Sequence, residues 1–85
     1  MSARLIDLFG STVRRQRESR GWSQEHLAWQ ADLNRSYVGE IERGQVVASL
    51  LTVQKLADAL GLPAADLLRL CDAQPHHPPV TARAN

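Results

Sequence analysis

SQEHLAWQADLNRSYVGEIERG, residues Ser23 to Gly44, reads as two short helices meeting at a tight corner. Leu27, Ala31 and Leu33 recur at helical spacing before the corner, and Val38 and Ile41 after it. Ala28 supplies the small side chain that two closely crossing helices need. Asp32 stands where the chain must reverse, and Asp tolerates a left-handed backbone better than most non-glycine residues. Ser23 and Asn34 are good N-caps for the two segments, and Gly44 is a stop signal. The stretch 23–44 therefore predicts a helix-turn-helix.

Outward from that core, three further helices are expected. The first spans Arg4 to Ser19, with Leu5, Ile6, Phe9 and Val13 as its apolar stripe, Gly10 as a weak point and Gly21 as its stop. The fourth follows the cap Ser49 and runs to Leu60 before Gly61, burying Leu50, Val53, Leu56, Ala57 and Leu60. The fifth runs from Pro63, a residue suited to a first helical turn, to Leu70. Trp22 is expected to plug the core ahead of Ser23, and Trp29, on the side of its helix away from Leu27 and Ala31, either to cover the first helix or to stand exposed against DNA or a partner subunit. The fold class is all-α, a compact five-helix bundle over residues 1–71. Residues 72–85, with Pro75, Pro78 and Pro79 and few large apolar groups, read as a disordered tail.

Length and composition agree. Eighty-five residues allow one small domain, and 44% apolar residues with only 5% aromatics favour helix on helix over a sheet. No stretch approaches the roughly 20 apolar residues of a membrane span, and no secretory leader is visible. Cys71 is the single cysteine, which excludes an intrachain disulfide and fits a cytoplasmic setting. The net charge of +1 says little about partners. Arg14, Arg15, Arg17 and Arg20 cluster within two turns, which reads equally as a solvated helix face or a basic patch.

Between Val13 and Leu68 stand Arg17, Gly21-Trp22-Ser23-Gln24, Leu27-Ala28, Ser36-Tyr37, Ile41-Glu42-Arg43-Gly44, Ser49-Leu50 and Leu56-Ala57. In these residues the chain resembles the Cro and phage-repressor class of helix-turn-helix regulators, the XRE family. Small stand-alone members of that family include restriction–modification controller proteins. The resemblance implies a phage-repressor type domain, a homodimer, and transcriptional control through a palindromic double-stranded DNA operator. It also implies a buried ion pair, here Arg17 with Glu42. Three departures stand out. Asp32 replaces a common glycine, Gln16 replaces an aliphatic residue, and the loop Gln45-Val46-Val47-Ala48 lacks the polar or cationic residues often found there.

In such a fold the second helix of the motif, about residues 35–43, enters the major groove. Gln24, at a helix N-terminus, is expected to hold a phosphate. With Val38, Ile41 and Glu42 inward, the outer side carries Arg35, Ser36, Gly39 and Glu40 next to the cap Asn34. Arg35 suits guanine O6 and N7, and Ser36 suits bases of either kind. Tyr37 suits a phosphate, a thymine methyl or a packing role. Glu40 suits cytosine N4 or an orienting contact with Arg35, and Gly39 a close approach to the groove wall. Arg43 suits a phosphate. The expected dimer interface is Leu51, Leu62, Leu67 and Leu70, with Val46 and Val47 as a second patch.

No catalytic site is expected. His26, His76 and His77 lack partners at metal-ligand spacing, and no phosphate-cradling glycine loop is present. Neither cofactor nor small-molecule ligand is indicated. The competing function is a protein-interaction module, such as an antitoxin that binds a partner protein, with DNA binding secondary.

Overall fold

The computed structural model describes residues 3–73. Five helices follow in order: α1 (Ala3–Ser19), α2 (Gln24–Ala31), α3 (Arg35–Glu42), α4 (Leu50–Leu60) and α5 (Ala64–Asp72). The expected tail lies outside the described residues beyond Ala73, as do His76 and His77. Helices of eight to eleven residues are marginal alone in water, so mutual burial must hold them. α1 packs on α3, α4 and α5, and α2 packs on α3 and α4. Leu27, Val38, Ile41, Leu56 and Leu67 are sealed at the centre. Each such side chain contributes about 1.5–3 kcal/mol.

The ends are fixed by local chemistry. Ser23, Asn34 and Ser49 sit in extended backbone, and their side chains accept from His26 N, Ser36 N and Thr52 N respectively. Gly61, at φ 75°, ends α4 in the left-handed region. Arg20 adds a cap from a distance: one guanidinium nitrogen donates to Leu60 O at 2.6 Å and the other to Gln16 O at 2.7 Å. Pro63 stands as the N-cap of α5, one residue before the helix it was expected to open.

Several faces differ from the periodic reading. Leu8, Phe9, Thr12 and Val13 form the buried stripe of α1, while Leu5 is exposed. The register is shifted because Thr12 is taken inward, a polar residue that apolar periodicity cannot register. Leu50 is 84% exposed, and Thr52 takes the inward place at the start of α4. Trp29 takes the exposed alternative: it is 76% exposed on α2, its ring 6.4 Å from that of His26, and it does not cover α1. Trp22 packs against the core and its ring lies 4.6 Å from that of His26.

Gly10 is a packing residue rather than a weak point. A Cβ there would collide with the carbonyl oxygen of Ile41 and lie 2.9 Å from that of Glu42, so the bare backbone lets α1 rest on the end of α3. Backbone cannot yield as a side-chain tip can. Gly10→Ala should therefore lower stability by about 1–3 kcal/mol in urea unfolding, despite alanine's better helix propensity. An unchanged or raised midpoint would show that this contact does not hold the two helices together.

Candidate nucleic-acid interface

The corner between α2 and α3 is set by Asp32, with φ 57° and ψ 49°. Its N–H closes α2 onto Ala28 O and Trp29 O. Lys55 of α4 reaches the same residue, its ammonium 3.3 Å from Asp32 O and 3.7 Å from the carboxylate. This contact spans 23 residues and has no local sign along the chain.

α3 is anchored from behind. Val38 and Ile41 are buried, and the Glu42 side chain is only 2% exposed. Arg17 meets Glu42 through two hydrogen bonds, Nε to Oε2 at 2.8 Å and Nη2 to Oε1 at 3.0 Å. Its third nitrogen donates to Trp22 O at 2.7 Å. The hydrogen bond to Glu42 pushes the Arg17 pKa above its ordinary value, against the opposing effect of burial. Gln24 Nε2 donates to Glu42 Oε1 at 3.0 Å, so the Gln24 amide is engaged with α3 rather than aimed wholly at solvent. α1, the start of α2 and the end of α3 are thus tied at one carboxylate.

The front of α3 is open at its start. Asn34, Arg35 and Ser36 are exposed, and Asn34 is committed as the cap through Oδ1, 2.8 Å from Ser36 N. Arg35 and Glu40 have no ion-pair partner among the described residues, so Glu40 does not orient Arg35. Tyr37 is half-buried against the core, and its hydroxyl lies 3.2 Å from Thr52 Oγ1. Packing is one of its expected options, and this placement is compatible with it. Gly39 is buried, because the Arg43 side chain folds back over it. Arg43 Nε donates to Gln45 Oε1 at 3.1 Å, a contact not foreseen from the sequence. Arg14, Arg17, Gln24, Glu42 and Arg43 line a polar recess of about 250 Å³ beside α3.

The basic cluster of α1 is dispersed by folding. Arg17 is spent on Glu42, Arg20 on the end of α4, and Arg14 on an exposed pair with Glu18. Of the expected interface leucines, Leu67 has no accessible surface and belongs to the core, where it can offer nothing to a partner. Leu51 is 65% exposed, Leu70 is 37% exposed and Leu62 is half-buried. Burial also raises the Cys71 thiol pKa, which suits an inert packing residue rather than a nucleophile. Among the described residues no cluster of His, Cys, Asp and Glu could hold a metal, and no helix is long and apolar enough to cross a membrane.

A two-helix corner with a back-anchored second helix and an open arginine-bearing front is the geometry of a groove reader. The helix-turn-helix domain profile matches residues 8–70. The chain belongs to the helix-turn-helix domain family. It is similar to control protein C.BamHI of Bacillus amyloliquefaciens, 47% identical over 62 residues that cover 72% of this chain and 76% of that protein. The crystal structure of the restriction–modification controller protein C.AhdI from Aeromonas hydrophila matches with a TM-score of 0.71 at 45% identity, covering 73% of this chain and 94% of the other. A hypothetical transcription factor of Neisseria meningitidis is 46% identical over 52 residues, 61% of this chain and 49% of that protein, so the chain spans about half its length. The chain is an all-α DNA-binding transcriptional regulator of the XRE-like, controller-protein kind.

The anchor gives a direct test. Glu42→Ala leaves the Arg17 cation largely buried without its partner, and should cost about 3–5 kcal/mol in urea unfolding. The double replacement Arg17→Met with Glu42→Leu should recover most of that loss. Equal losses in both variants would mean that the uncompensated charge is not what matters.

Proposed function

We propose that this regulator acts as a homodimer on a palindromic operator, with α3 in the major groove of each half-site. The observation that carries the reading is the exposed, unpaired Arg35 at the start of a helix whose back is sealed by Val38 and Ile41. Its planar fork is suited to guanine O6 and N7. Ser36 beside it serves bases of either kind, and Glu40 accepts from cytosine N4. Asn34 and Tyr37 border this reading surface. Gln24 and Arg43 face the sugar–phosphate backbone, where contacts set register and carry no sequence information. The DNA-binding domain is assigned to residues 1–71, and α5 carries its last helix one residue further, to Asp72. The proposed setting is the cytoplasm, and the similarity to controller proteins supports a role at a restriction–modification locus.

One two-turn helix reads too few base pairs to select an operator, which is the physical reason for a dimer. Two copies would set their reading helices about one DNA turn, ~34–36 Å, apart. Leu51, with the exposed Leu50 and Val47 close to it in sequence, offers apolar surface for this, and Leu62 and Leu70 line a second apolar recess with Ala73. Val46, of the second expected patch, is half-buried against the core and contributes little.

Selection from random duplexes should return an inverted repeat. Arg35→Ala should cost about 1–3 kcal/mol on that sequence and relax preference at one symmetric position. Binding should fall steeply between low and moderate salt. Unchanged base preference would remove Arg35 from the reading role, and salt-independent association with a protein would favour an antitoxin-like module.

Leu51→Glu should give a monomer by sedimentation and lower operator affinity by about 100-fold or more, through loss of bivalent engagement. A dimer that persists in this variant would move the interface elsewhere.

A further inference from the structure

α3 carries a glycine at its centre, where glycine is costly relative to alanine. The backbone does not call for it, since positive φ among the glycines is confined to Gly21, Gly44 and Gly61. What fills the space is a single side chain. A Cβ at Gly39 would stand 2.9 Å from Arg43 Nη1, 3.5 Å from Nη2 and 3.6 Å from Cζ, and these are its nearest neighbours. Arg43 remains exposed, but its side chain turns back from the end of α3. It lies back along the helix over Gly39, with Nε held by Gln45 Oε1.

That placement brings the guanidinium to the recess it shares with Arg14, Gln24 and the Arg17–Glu42 pair. The charge of Arg17 is matched by Glu42. Arg43 has no carboxylate partner among the described residues, and Gln45 holds its position without cancelling its charge. Arg14 has only a solvent-exposed pair with Glu18, which is weak. The recess therefore presents net positive charge beside the helix that reads the groove.

We propose that Gly39 is a positioning residue for DNA binding: its missing side chain lets Arg43 fold back along α3 and present a pre-ordered guanidinium to a DNA phosphate. This rests on the reading of α3 as the groove helix. A guanidinium fixed in advance loses less freedom when the phosphate arrives. A competing role for the same glycine, close approach of bare backbone to the groove wall, makes a different prediction.

The test is a double-mutant cycle on the full chain, with duplex binding measured across a salt series and melting followed by circular dichroism. Gly39→Ala should raise the melting temperature by about 4–8 °C, because only a flexible side-chain tip must move. It should weaken binding about tenfold, with the log–log salt slope reduced by about one and base preference unchanged. In an Arg43→Gln background the same Gly39→Ala change should cost no further affinity. Gln45→Ala, which leaves α3 untouched, should lose part of the same affinity and provides the check if Gly39→Ala folds poorly. Full additivity of the Gly39→Ala and Arg43→Gln losses would overturn the proposal in favour of groove-wall contact. So would unchanged affinity in both Gly39→Ala and Gln45→Ala. If the unaltered chain binds no duplex in a salt-dependent way, the groove reading itself fails, and this proposal fails with it.

Discussion

A helix of two turns cannot stand alone in water, yet α3 must keep one side bare. The Arg17–Glu42 contact resolves that conflict. Val38 and Ile41 bury the middle of the helix, but they do not fix its end. The bidentate pair does, and it draws in the Trp22 carbonyl and the Gln24 amide at the same point. Such a network adds little net stability over an apolar substitute, so its value lies in the single arrangement it permits. Three helices meet there in one register, and the orientation of the α3 front follows.

The corner and the bare contacts complete that constraint. Asp32 holds a left-handed conformation without being glycine, and Lys55 supports it from α4. Gly10 lets α1 settle on the carbonyl end of α3. In each case the close approach comes from the absence or tolerance of a side chain, and an attraction from elsewhere in the chain secures it. The result is a rigid back and an accommodating front, the combination that groove recognition requires.

Much of this was legible in residues 23–44. The caps Ser23, Asn34 and Ser49, the stop at Gly61 and the reversal at Asp32 act through their own or neighbouring backbone, so sequence order suffices to find them. The front of α3 followed from placing Val38 and Ile41 inward. What escaped was whatever depends on distant partners. Leu5 and Leu50 fit apolar stripes, but Thr12 and Thr52 take the inward places, and the Thr52 hydroxyl is met there by Ser49 and Tyr37. The arginines of α1 look alike in sequence, and only the fold separates Arg17, Arg20 and Arg14 into three different tasks. Gly39 read as an open surface until Arg43 was seen lying across it.

The grip of Lys55 on Asp32 has a mechanical consequence. Lys55 follows Leu51 by a single helical turn, so α4 joins an exposed apolar patch directly to the hinge between α2 and α3. A load on that patch would reach the corner through the Lys55 contact alone, a 3.3 Å hydrogen bond to the Asp32 carbonyl with a weak exposed ion pair beside it.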